Sequence, residues 1–96
     1  MKVENMTSNK GNKIANQFEI TDDFNTVYFQ SYDSIIAKKT WNDKGEKKVF
    51  LDSNYWDYSV TTGKYRNIFL NETKKETEKK IANGTYELTN LNYEVE

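Results

Sequence analysis

Two periodicities divide this chain. Apolar and polar residues alternate through much of the first fifty positions, while three-to-four spacing is confined to a stretch between residues 59 and 83. Alternation with period two marks a strand with one buried face, and the 3.6-residue period marks an amphipathic helix. Their segregation predicts an α+β fold with a small antiparallel sheet, rather than alternating units around a parallel one. The clearest strand spans residues 25–32, with Val27, Phe29 and Ser31 on one face and Tyr28, Gln30 and Tyr32 on the other. Before it, Ile14, Asn16, Phe18 and Ile20 alternate with Lys13, Gln17 and Glu19, and Thr21-Asp22-Asp23 supplies a turn. After it, residues 35–41 and 47–51 pair as a hairpin across Asn42-Asp43-Lys44-Gly45-Glu46. The expected sheet is a β-meander of three to four strands plus a C-terminal strand over residues 85–91.

Two short helices are expected between residues 59 and 83. Ser59 caps the first, whose buried face would be Tyr65, Ile68 and Phe69 at i, i+3 and i+4. Gly63 weakens that helix by about 1 kcal/mol relative to Ala. Thr73-Lys74-Lys75-Glu76 matches a capping box, and the second helix stops at Asn83-Gly84. Glu76 with Lys80, and Lys74 with Glu78, have the i, i+4 spacing of helical ion pairs. Residues 1–12 offer little beyond Val3 and Met6 to bury, which predicts a mobile N-terminal tail. Residues 13–92 then form a single domain, and residues 93–96 a frayed C-terminus.

A chain of 96 residues and 11.3 kDa has room for one core. Two Trp, seven Tyr and five Phe fill it efficiently despite an apolar fraction of 35%. With no His and no Cys, the imidazole base, the thiolate nucleophile, thiolate zinc sites and disulfides are all excluded. The expectation is a protein that is not an enzyme, with no catalytic residues, no metal and no cofactor. Asp52 and Asp57 are the nearest carboxylate pair, without the pattern of a calcium loop. Thr61-Thr62-Gly63-Lys64-Tyr65-Arg66-Asn67 has the Gly, hydroxyls and cations of an anion site at a helix start. It is not a Walker A loop, because no Gly stands five positions before Gly63 and Tyr65 replaces the magnesium-binding hydroxyl. The longest apolar run is three residues, at Ile35-Ile36-Ala37 and Ile68-Phe69-Leu70, far short of a membrane span. No secretory h-region follows Met1-Lys2, so a soluble intracellular location is expected, with no membrane partner.

Net charge is −1, so any electrostatic role must be local. Residues 64–80 hold six cations and three anions, beside the rings of Tyr55, Trp56 and Tyr58. Tyr and Arg anchor interfaces and Lys steers encounters. The candidate partner-binding residues are therefore Tyr55, Tyr58, Lys64, Tyr65, Arg66, Lys74, Lys75, Lys79 and Lys80. The Tyr28, Gln30, Tyr32 stripe is a second candidate unless the helices cover it.

Four segments carry a resemblance: Tyr28-Phe29-Gln30-Ser31-Tyr32, Trp56-Asp57-Tyr58-Ser59, the stretch from Thr61 to Asn67, and Lys74-Lys75-Glu76-Thr77-Glu78-Lys79-Lys80. They resemble a family of short proteins of unknown function from phages, plasmids and related elements of low-GC bacteria, over residues 14–92. The resemblance implies the cytoplasm of a bacterial host and action by stoichiometric binding. By analogy it points to an anti-CRISPR inhibitor of an effector nuclease such as Cas9, with a host protein as partner and the protein as monomer or homodimer. An accessory nucleic-acid binder using residues 55–80 is the alternative.

Overall fold

A computed structural model describes residues 1–92, so the expected fraying of 93–96 lies outside the described residues. Five strands form an antiparallel meander: β1 (Lys2–Thr7), β2 (Lys13–Thr21), β3 (Thr26–Ser31), β4 (Ser34–Trp41) and β5 (Lys47–Asp52). Two helices follow, α1 (Val60–Leu70) and α2 (Lys74–Ala82). They carry the chain back along the sheet, so the last strand, β6 (Tyr86–Thr89), pairs with β5 in parallel. The sheet order is β1-β2-β3-β4-β5-β6, and the fold is α+β.

Residues 1–12 contain a strand and a hairpin loop where a mobile tail was expected. β1 pairs with β2 from Lys2↔Thr21 to Thr7↔Lys13. The register slips between Asn5 and Thr7, and Met6 enters the core at the slip. Ser8 closes the loop by accepting from the amides of Lys10 and Asn12 through its Oγ, and Gly11 takes φ 80°. Counting apolar residues misses such a strand, because an edge strand is held mainly by its backbone ladder.

The faces of β2 are reversed from the alternation reading. Gln17 is fully buried beneath the helices, while Phe18 and Ile20 are half-buried on the other face. Pairing of Gln17 with Ser31 and of Phe18 with Gln30 sets these faces, and the φ of 65° at Asn16 breaks the alternation after Ile14. On β3 the helices cover the Phe29 face. Phe29, Ala37, Val49 and Leu51 meet Phe69 and Leu70 of α1, with the Phe29 and Phe69 rings 5.7 Å apart. Burying each such side chain contributes about 1.5–3 kcal/mol.

The buried face of α1 is Thr62, Arg66, Phe69 and Leu70; Ile68 is exposed. Two polar links turn the helix this way. The Thr62 hydroxyl meets that of Ser31 at 2.9 Å, and Arg66 donates to the Trp56 carbonyl at 2.7 Å. Ser59 caps α1 by accepting from the Thr62 amide, and Asn71 ends it in the left-handed region. The Thr73–Glu76 capping box opens α2. Of α2 only Thr77 is buried, with Ile81 packed against the core margin. Among the described residues, no helix is long and apolar enough to cross a membrane.

Candidate functional site

The segment between β5 and α1 is a turn. Asp52, wholly buried, accepts from the amides of Asn54 and Tyr55 through Oδ2 and from Leu91 through Oδ1. This folds residues 53–57 back, so Tyr55 and Tyr58 meet edge to face at 5.6 Å. Extended alternation would have put them on opposite faces. Tyr55 packs against the core and Tyr58 is 63% exposed.

Arg66, expected at the partner surface, is 1% exposed. Its Nη1 donates to the Trp56 carbonyl at 2.7 Å and to Asp57 Oδ1 at 3.3 Å, and Nη2 donates to Asn67 Oδ1 at 3.0 Å. The guanidinium carbon lies 5.2 Å from the Trp56 ring centroid. Gly63, one turn back, lies alongside this side chain, where a Cβ would sit 3.5 Å from Arg66 Nη2. Arg66 therefore ties the turn to α1 and is not available as an interface anchor.

Lys74 and Lys80 are likewise committed within the fold. Lys74 Nζ lies 2.8 Å from Asp57 Oδ2, and Lys80 Nζ lies 2.7 Å from Glu72 Oε1. These pairs replace the expected Lys74–Glu78 and Glu76–Lys80 pairs. Glu72 and Asp57 are fixed by tertiary contacts, whereas a solvated i, i+4 partner must be ordered for little return. Partial burial opposes the charge on Asp57, but hydrogen bonds from Lys74 and Arg66 outweigh it and hold the carboxyl below its ordinary range. Lys64 is exposed, its ammonium 5.4 Å from the half-buried Tyr65 ring centroid. Lys75 and Lys79 are exposed on α2.

An open groove of about 650 Å³ lies here, lined by Asp57, Ser59, Val60, Lys64, Arg66 and Lys74 among others. Val60, at the start of α1, is 92% exposed on its rim. The structure thus gathers Lys64, Arg66 and Lys74 into one concavity with Tyr58 close in sequence. Lys75, Lys79 and Lys80 do not line it. Sequence reasoning passed over Val60 and Asp57 as groove residues. The exposed apolar residue directly after a capping Ser was the available signal for Val60.

The opposite face of the sheet carries a second aromatic and basic surface. The register aligns Val3, Ile20, Tyr28, Lys38, Phe50 and Glu87 across all six strands. Lys38 and Lys48 hold their ammonium groups 4.6 and 5.1 Å from the Phe50 ring centroid. Neither helix packs on this face, so the Tyr28 and Gln30 stripe is on the side away from them. Lys38, Lys48 and Phe50 escaped notice because they come from two strands and meet only once the register is known.

The chain belongs to a family of unknown function, DUF8033, whose model matches residues 1–84. The match starts at residue 1 and so includes β1. No curated protein and no solved structure matches the chain.

Proposed function

We propose that this protein is a non-catalytic binding module that acts by stoichiometric occupation of a protein partner through the α1 groove. The observation that carries this reading is the pairing of a nearly fully exposed Val60 with a groove holding both cations and the Asp57 carboxylate. Exposed apolar and aromatic groups beside mixed charge suit a protein surface. A phosphate chain would meet Asp57 in the groove, and Arg66, Lys74 and Lys80 are already engaged within the fold, which weakens the nucleic-acid reading of residues 55–80.

The inhibitor reading names the partner as an effector nuclease of a bacterial host, with the protein acting in that cytoplasm; what supports it is the phage and plasmid resemblance. The test is a DNA-cleavage assay titrated with the protein, alongside Val60→Asp. Inhibition that saturates near one equivalent and is lost in the variant is the expected result. Full cutting at large excess across several effector types overturns the nuclease reading. A stoichiometric complex with another protein, abolished by Val60→Asp, would retain the binding module alone.

A further inference from the structure

We infer that the helix-free face of the sheet binds single-stranded nucleic acid, with Tyr28 and Phe50 as base platforms and Lys38 and Lys48 as phosphate contacts. This surface is separate from the α1 groove and does not rest on the reading of that groove. Tyr28 on β3 stands opposite Lys38 on β4, which stands opposite Phe50 on β5. Alternate strands are about 9.5 Å apart, so the two rings are spaced for separate bases of an extended strand, with an ammonium between them. Lys48, two residues before Phe50 on the same strand, sets a second ammonium 5.1 Å from that ring's centroid. Phe18 and Ile20 of β2 extend the apolar strip beyond Tyr28.

Charge complementarity selects the occupant. On the central strands β3, β4 and β5 the charged side chains of this face that reach solvent are Lys38 and Lys48; Asp52 at the end of β5 is fully buried with its carboxylate taken up by the amides of Asn54, Tyr55 and Leu91, and Glu87 stands at the β6 edge. A chain whose net charge is −1 therefore places, among the described residues, a cationic, aromatic strip at the middle of its helix-free face. The Phe50 ring, with two lysine ammonium groups near it, is suited to stacking, because the long stem lets each ammonium move from the ring to a phosphate as a base arrives. Unpaired bases offer the faces such rings require; in a duplex those faces are already stacked. The sheet face presents no helix or ribbon to enter a major groove, which disfavours duplex DNA.

The experiment is fluorescence anisotropy of labelled oligonucleotides, a 12-mer of dT, a mixed-sequence RNA 12-mer and a DNA duplex, at low salt and across a salt series. The full chain is compared with Phe50→Leu, Lys38→Gln and Lys48→Gln on this face and with Lys75→Gln/Lys79→Gln on α2. Circular dichroism monitors folding, and the exposed Lys48 gives a variant that spares the core. Expected are binding of single strands in preference to the duplex and weakening of about tenfold or more in Phe50→Leu. The Lys38→Gln/Lys48→Gln double variant should lower the salt slope by about 1.4 for the two phosphates lost. Absence of binding at low salt overturns the assignment. So does binding that depends on Lys75 and Lys79 but not on Lys38 and Lys48. A concentration-dependent dimer abolished by Phe50→Leu, without oligonucleotide binding, would assign the face to a second copy instead.

Discussion

The ammonium of Lys39, on β4, donates to the main-chain carbonyl of Phe69 in the last turn of α1 at 2.9 Å and lies 4.1 Å from the Phe69 ring centroid. Carbonyls at a helix C-terminus lack intrahelical donors and carry the negative end of the dipole. The last turn of α1 contains no basic residue, so the sheet supplies the cation. Burial disfavours the charge and lowers the Lys39 pKa, with Glu19, on the same face of the sheet, acting the other way. Lys39→Met keeps the stem and removes the donor. It should destabilise the fold by about 1–2 kcal/mol, read as a lower urea midpoint with an unchanged m-value.

Arg66 makes the corresponding link at the other end of α1, joining the helix to the turn that follows β5. Arg66→Lys keeps the charge but loses the planar fork shared among Trp56, Asp57 and Asn67. The expected cost is about 2–3 kcal/mol in chemical denaturation, with the Trp56 fluorescence of the folded state altered. A change below about 0.5 kcal/mol would show that the fork is dispensable.

These two links show what the sequence discloses and what it hides. Both helices were legible within a residue or so, because Ser59 and Thr73–Glu76 act locally and their signals lie within four positions. The hairpin at Asn42 was legible for the same reason, its side chain accepting from the amides of Lys44 and Glu46. Arg66 was misassigned because an Arg among Lys residues reads as surface, and its partners sit nine or ten positions away in a turn of unknown shape. Lys38 and Phe50 were missed because cross-strand neighbours are set by register, which a bulge at Asn16 or a slip at Met6 can shift.

Gly63 sits in the first turn of α1 with φ outside the left-handed region, and a Cβ there would meet the Arg66 guanidinium at 3.5 Å, an ordinary contact. Gly63→Ala should therefore gain helix propensity without a clash. The expected stabilisation is about 0.5–1 kcal/mol, or about 2–8 °C in Tm by calorimetry.

Gln17 is fully buried on the helix-covered face, and neither amide atom has a hydrogen-bond partner among the described residues. A buried amide without a partner costs about 1–3 kcal/mol, and an apolar side chain of similar volume avoids that cost. Gln17→Leu should raise stability by about 1 kcal/mol in urea unfolding. A loss of stability would show that the amide is satisfied in solution.

Glu72 predicts the acid response. Its side chain is nearly buried between α2 and β6, where Oε1 accepts from Lys80 Nζ at 2.7 Å and from the Tyr86 hydroxyl at 2.8 Å, and Oε2 accepts from the Thr77 hydroxyl at 2.6 Å. Burial opposes ionisation, but the bonds from Lys80, Thr77 and Tyr86 outweigh it and hold the carboxyl below its ordinary value. A carboxyl with a lowered folded pKa contributes stability that is fully present above its unfolded value of about 4.3 and is lost as pH falls through the folded value. Asp57 and Glu76 are shifted in the same direction and add to the slope. The wild-type urea midpoint should accordingly fall between about pH 5 and pH 3. Glu72→Gln removes one titrating carboxyl, so its midpoint should start lower at pH 7, by about 1–3 kcal/mol in stability, and decline less steeply on acidification. Parallel profiles for the two proteins would show that the Glu72 cluster does not link α2 to β6 in a charge-dependent way.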